Sequence, residues 1–305
     1  MNIGGDLDAE LRLAAQVWLR TLLLTTHGYV RREDVAEFRF AGERIPLMDR
    51  QRGIRKPRML DAALSFRTVH ADRPDLRPYD DSPGPDSYLR YKWRGSDPSH
   101  PENRAMRLAY ERRLPLLWFR GVQSGWYLPV FPVWLVGEEP DLQQFVVALD
   151  VDEMEMWEQP TLVDLDHRRR YVARTARTRL HQPMFRARVM LAYRQRCSLC
   201  RLAHPELLDA AHILADNEGG EPVVPNGIAM CKIHHAAYDA NIVGIDPDYR
   251  VLIRPDVLDE SDGPTLRHAL QALHQSPLQV IPRKKLARPN RDLLAARFER
   301  FRQAS

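Results

Sequence analysis

Cysteine is scarce in this chain: three in 305 residues, an odd and small count that leaves no room for a disulfide framework. Long apolar runs are missing too. The longest near the N-terminus, Val17–Leu19 and then Leu22–Leu24, is broken by Arg20. It is too short to span a bilayer, and no signal-peptide cleavage pattern accompanies it. A soluble, cytoplasmic protein with no membrane partner is expected. Glycine stands at only 15 residues and proline at 23. Collagen-like and linker compositions are thereby excluded, while turns and stops should be frequent. No internal repeat or low-complexity tract is present. Residues 167–196 hold ten arginines and not one Asp or Glu.

What is there describes a folded chain. Apolar residues make up 44% and charged residues 28%, within the globular range. The length suggests two domains. The net charge of +4 hides an asymmetry: residues 166–305 carry +8 and residues 1–165 carry −4. A basic C-terminal half suits a polyanion, although a solvated basic face has the same composition. Residues 7–25 have helical spacing, with Leu11, Ala14, Ala15, Trp18, Leu19 and Leu22 on one stripe, and Gly28 ends the helix. The runs Leu116–Arg120, Trp126–Val136 and Gln144–Leu149 read as strands. Residues 153–165 read as an acidic connector, and Arg283–Gln303 as a basic loop and helix.

Every cysteine falls in one pattern: Cys197-x2-Cys200, then Cys231-x2-His234. Two such knuckles each place two ligands on a tight turn and together close a tetrahedral zinc site. Four protein ligands leave no open position. The zinc is therefore expected to be structural, and any chemistry must come from other residues.

Between and after the knuckles lie Asp209-Ala-Ala-His212-Ile, Pro225-Asn226-Gly227, His235 and Asp239. The order His, Asn, His inside a zinc-knuckle frame resembles the HNH, or ββα-metal, endonuclease family, over about residues 193–253. The resemblance implies two strands and a helix. His212 stands on the first strand as general base and Asn226 fastens the active-site loop. His235 and Asp239 share one face of the helix, where their i, i+4 spacing lets them hold a catalytic Mg²⁺ or Mn²⁺. One departure is clear: the position before the base, often a metal ligand in this family, is Ala211. Asp209 is an alternative carboxylate, but three residues from His212 it should face the other side of the strand.

Ahead of this region, Tyr79-Asp-Asp81, Tyr91-Lys-Trp-Arg-Gly95 and Asn103-Arg-Ala105, with the strand-rich Leu116–Val136, resemble the SRA family of modified-cytosine readers, over about residues 60–150. The resemblance implies a PUA-like β-barrel that flips the base. Tyr79 and Trp93 would stack on it, Asp81 would accept from the cytosine amino group, and Gly95 would form the turn beside the pocket. The reading of the residues alone keeps Tyr79, Tyr91 and Trp93 as core aromatics.

The expected fold is therefore α+β, in four parts. Residues 1–60 form a helical accessory region, 61–152 an SRA-like β-barrel reader, 153–185 a linker and basic helix, and 186–305 an HNH domain with a structural zinc site and a basic tail. The expected function is that of a modification-dependent restriction endonuclease. Its partner would be double-stranded DNA carrying 5-methylcytosine or a related base. Cutting both strands needs two HNH copies, hence a homodimer. Two alternatives stay open: an HNH nuclease guided by phosphorothioate or plain sequence, and a non-catalytic DNA-binding zinc module.

Overall fold

A computed structural model describes residues 3–70, 83–159 and 164–304. The chain divides into two compact units, Met1–Pro183 and Met184–Ser305.

The first unit opens with α1 (Ile3–Thr26). Leu11, Ala15 and Leu19, four residues apart, bury one face against the sheet, and Ala14, Trp18 and Leu22 pack beside them. The same face carries Arg12, which hydrophobic spacing does not predict. Its guanidinium binds Asp8 one turn back at 2.6 Å and donates to the carbonyls of Pro115 and Ala63 at 2.9 Å each. A buried cation is tolerable here because each of its three nitrogens donates to an acceptor and one of those is a carboxylate. Residues 1–60 were expected as an accessory region; side chains from Leu11 to Leu60 within it join this unit's core.

Short elements follow: β1 (Val30–Arg31), α2 (Arg32–Val35), β2 (Arg39–Phe40), β3 (Glu43–Arg44) and β4 (Ile54–Arg55). The main strands are β5 (Ser65–Thr68), β6 (Leu89–Lys92), β7 (Leu116–Gln123), β8 (Trp126–Glu139) and β9 (Gln144–Ala148). Among the described residues they form a seven-stranded sheet in the order β4-β5-β7-β8-β9-β6, with β1 on β8. The β5–β7 pair is parallel and the other ladders antiparallel. The long β8 serves three neighbours, pairing with β1 at Trp126 and Tyr127, with β7 up to Val133 and with β9 from Trp134 on. Its ladder skips at Phe131–Pro132, where proline has no N–H to offer. The sheet path is open: β4 and β6 are its ends, and no ladder joins them among the described residues. The β-barrel expected for this region is not shown by these ladders.

Helix α3 (Pro101–Glu111) crosses between β6 and β7 in sequence. Its first turn is set by Pro101 and by His100, whose ring accepts the Glu102 N–H. The stretch expected as an acidic connector, residues 153–165, overlaps α4 (Val151–Glu158), capped by Asp150. Helix α5 (Leu165–Ala176) leads through a π-helical turn, Arg177–His181, toward α6 (Gln182–Ala192), within which the unit boundary falls.

In the second unit, β10 (Leu208–His212) and β11 (Gly227–Cys231) form an antiparallel hairpin, and α7 (Lys232–Asp239) follows directly. This is the two-strand-and-helix order expected. A second hairpin, β12 (Val243–Ile245) with β13 (Val251–Ile253), is followed by α8 (Pro255–Asp259), α9 (Pro264–Ala269) and α10 (Arg291–Gln303). Phe185, Val189, Met190 and Tyr193 of the α6 region pack on both hairpins' apolar residues, which gives the small ββα motif the core it cannot build alone.

Candidate active site and metal centre

Cys197, Cys200, Cys231 and His234 offer ligand atoms that all lie within 4.8 Å of one another. His234 Nδ1 is 3.3 Å from Cys197 Sγ and 3.1 Å from Cys231 Sγ. A tetrahedral zinc would hold nitrogen and sulfur ligands about 3.5 Å apart, so the side chains need little adjustment. The His234 Nε2–H donates to the Ala269 carbonyl at 2.7 Å. That bond fixes the tautomer which leaves Nδ1 free for a metal. Thiol contacts from Cys197 and Cys200, together with His234, hold the Cys231 thiol far below its usual range despite burial. Burial opposes charge on His234, but Cys197 and Cys231 outweigh it and raise the imidazole to about 10. Three sulfurs and one ring nitrogen, gathered this closely and able to give up their protons to a metal, form a donor set that can hold a zinc ion.

The first knuckle is fastened by Ser198, which is wholly buried. Its hydroxyl donates to Val280 O, its N–H to Ala229 O, and its carbonyl accepts from Gln279 and Val280. The knuckles thus tie the start of the unit, β11 and the 278–280 segment together.

His212 ends β10, opposite Gly227 on β11. Its imidazole lies nearly parallel to the Phe185 ring, at a centroid separation of 4.0 Å and an angle of 16°. Nothing in the sequence pattern singled out Phe185. The strand alternation places Asp209 and Ala211 on the other side. Ala211 is buried there, and Asp209 reaches toward α7. The side that Asp209 faces is the side His235 occupies: Asp209 Oδ2 is 3.8 Å from His235 Nδ1, and Asp239 Oδ2 is 3.4 Å from His235 Nε2. The structure thus gathers His235, Asp209 and Asp239, with a carboxylate at each ring nitrogen. All three are partly exposed to solvent. One imidazole nitrogen and carboxylate oxygens suit a hard divalent cation such as Mg²⁺ or Mn²⁺, whereas the thiolate cluster suits zinc.

Asn226 is 1% exposed and closes the 213–226 loop. Its amide nitrogen donates to Leu214 O and Glu221 O at 3.0 Å each, and its Oδ1 accepts the Leu214 N–H at 2.9 Å. Its backbone carbonyl accepts from Ile213. The residues just after His212 are therefore held by one side chain. Helix α10 adds two more anchors: Arg300 donates to both carboxylate oxygens of Glu218 at 2.7 Å, and the Asn290 N–H donates to Pro225 O.

In the first unit, Trp93 is 4% exposed. It packs against Phe145 at 6.3 Å, with the Arg107 guanidinium 5.7 Å over its ring. Gly95 has φ +63, the conformation of a turn glycine. Asn103 clamps this turn through Arg94 N–H, Arg94 O and Asp97 O. Tyr79 and Asp81 lie outside the described residues.

Residues 197–246 match the family model described as HNH endonuclease. That span holds both knuckles, both strands, α7 and every residue of the His212–Asn226–His235 set. The chain carries an HNH endonuclease domain and is a DNA endonuclease. A search of curated proteins finds no match to it. Among solved structures, the chain is similar to "Modification dependent TagI restriction endonuclease" at 17% identity, over 78% of this chain and 81% of that one, with a TM-score of 0.31. A second similarity is to the "Type IV phosphorothioation-dependent restriction endonuclease ScoMcrA", at 16% identity, over 80% of this chain and 59% of that one, with a TM-score of 0.23. Among the described residues no helix is long and apolar enough to cross a membrane.

Proposed function

We propose that this chain is a modification-dependent restriction endonuclease. Its first unit binds double-stranded DNA containing 5-methylcytosine or a related modified cytosine with the base flipped out, and its second unit hydrolyses a nearby phosphodiester. The observation that carries the nuclease half is the ββα motif within the matched HNH span, which bears His212 at the end of its first strand, Asn226 at the loop before its second, and His235 with Asp209 and Asp239 at its helix. The support for the reader half is the separate unit before it, in which an aromatic end strand, β6, runs into the clamped turn at Gly95.

In this reading neutral His212 takes the proton of the water that attacks phosphorus. Asn226 keeps the strand end and its loop from shifting during that transfer. His235, with Asp209 or Asp239, holds Mg²⁺ or Mn²⁺. The remaining carboxylate takes the other ring nitrogen, the outer contact that orients a ligand histidine. Such an ion supplies stabilisation of the developing charge and of the departing 3′ oxygen. Zinc at Cys197, Cys200, Cys231 and His234 contributes folding energy and no chemistry.

In the reader, Tyr79 and Trp93 stack on the flipped base and Asp81 accepts from its amino group. For Trp93 this requires Arg107 to yield the ring face it now covers, exchanging a cation–π contact for base stacking. Arginines of α5 add phosphate contacts. A homodimer supplies the second HNH copy needed to cut both strands.

The test is cleavage of one plasmid prepared unmodified, with 5-methylcytosine and with 5-hydroxymethylcytosine, in Mg²⁺ or Mn²⁺ and with an EDTA control. Cutting confined to modified forms supports both halves. Equal cutting of all three refutes the cytosine reader and leaves the nuclease. No cutting of any directs the assay to phosphorothioate DNA. Asp81→Ala should erase the preference and leave residual nicking.

A further inference from the structure

We propose that Phe185 is the positioning residue of the general base: its ring holds the His212 imidazole in register and supports the positive charge that ring acquires when it takes a proton. This rests on the reading of His212 as the base.

Three observations converge on it. The two rings are stacked, nearly parallel, at 4.0 Å. Phe185 is itself buried, held by α6 in the unit's core, so it is a fixed surface. The third is the residue opposite His212 on the hairpin. Gly227 has no side chain, and a Cβ built there would lie 2.8 Å from Phe185 Cζ, 2.9 Å from its Cε2 and 2.5 Å from Val189 Cγ2. The hairpin leaves out a side chain exactly where the Phe185 ring must pass to reach His212. The Gly227 carbonyl also accepts the Tyr193 hydroxyl at 3.1 Å, which ties this stretch of β11 to the segment that follows α6.

The ring does two things for a base. A flat ring stacked against the imidazole narrows the rotamers open to it. Proton abstraction needs the acceptor nitrogen placed to a fraction of an ångström. A phenyl face also carries partial negative charge, so it favours imidazolium over imidazole once the proton arrives.

The test compares Phe185→Leu with Phe185→Tyr in the full chain. Leucine keeps apolar bulk and burial but removes the flat face. Tyrosine keeps the face. Cleavage of supercoiled plasmid, methylated and unmethylated, is measured with Mn²⁺ across pH, alongside His212→Ala. The expected result for Phe185→Leu is a kcat lower by roughly 10- to 100-fold with KM little changed. The acid limb of its rate–pH profile should move down by roughly half a unit, because an imidazolium without the ring is less favoured. Phe185→Tyr should restore both.

An independent readout uses histidine-labelled protein. The His212 ring resonances should lose their ring-current shift in Phe185→Leu and keep it in Phe185→Tyr, and the His212 titration midpoint should follow the rate profile. Wild-type kcat, pH profile and His212 resonances in Phe185→Leu, with His212→Ala inactive, overturn this proposal and leave the base assignment standing. A fully active His212→Ala overturns both. Gly227→Ala provides a second route: it should displace the ring and reproduce the Phe185→Leu profile wherever the protein retains its zinc and its melting transition.

Discussion

Replacing Asn226 with alanine tests whether the loop after His212 is locked by one side chain. The structure gives the size of the effect. Three hydrogen bonds vanish: two donated by the amide to Leu214 O and Glu221 O, and one accepted from Leu214 N–H. Each contributes about 1 kcal/mol net, and each partner left buried and unpaired would cost about 1–3 kcal/mol more. The loop can limit that second cost by opening, because Glu221 is exposed and Leu214 partly so. The expected loss is thus about 2–4 kcal/mol, taken mostly as easier opening of residues 213–226.

Amide hydrogen exchange on the full chain reads this directly. At tenfold per 1.4 kcal/mol, exchange at Leu214 and Ile213 should quicken by roughly 30- to 1000-fold. Plasmid cleavage should fall through kcat, since the base is misplaced while DNA contacts elsewhere persist. Asn226→Asp separates the bonds. It keeps an acceptor for Leu214 N–H and turns a carboxylate toward two carbonyls, so it should open the loop at least as far as alanine does. Wild-type exchange throughout 213–226 in either variant would refute the lock.

Three further expectations follow from the same geometry. Cys197→Ser should bind less than one zinc per chain and lose the cooperative melting of the second unit, because structural zinc supplies folding energy; normal zinc content and melting would remove the structural-site assignment. Asp209→Asn and Asp239→Asn should each raise the Mg²⁺ or Mn²⁺ concentration needed for half-maximal cleavage by roughly 10- to 100-fold, as loss of a ligand or its outer partner does; an unchanged metal titration in both would place the ion elsewhere. The first unit should weaken with rising pH through Glu153. Burial raises this carboxyl to about 8, against one opposing bond from the Leu149 N–H. A folded value above the unfolded one means stability that is complete below about pH 4.5 and lost as pH climbs through about 8, on the order of a few kcal/mol. Denaturant unfolding at pH 5.5 and 8.5 measures it, and a Glu153→Gln variant that keeps the same pH slope would assign the dependence to another group.

What could be read from the residues alone follows the range of the forces involved. The zinc cluster was legible because each knuckle closes over two intervening residues, and the helix pair His235 and Asp239 because i, i+4 geometry is local. The same holds for α1, whose Leu11–Ala15–Leu19 stripe appears as spaced. Arg12 on that stripe was not legible, because its partners Ala63 and Pro115 come from distant strands. Sheet order was hidden for the same reason. Alternating apolar runs mark β7, β8 and β9 as strands, but nothing local says that β5 joins β7 in parallel or that β8 is shared by three neighbours.

Asp209 shows the limit most clearly. Strand parity correctly turns it away from His212, yet parity does not say what stands on the side it turns to, and there it meets His235. The proposed ligands and the proposed base are thus written in spacing, whereas the contacts around them come from tertiary packing. Ala269 orients His234, Phe185 faces His212, and Arg300 and Asn290 hold the loop that Asn226 closes. Substitutions at the proposed metal ligands should show in metal content and in the metal titration. Substitutions at these surrounding contacts should grade cleavage, which makes Phe185 and Asn226, more than the zinc cysteines, the positions at which the proposed mechanism is most exposed to refutation.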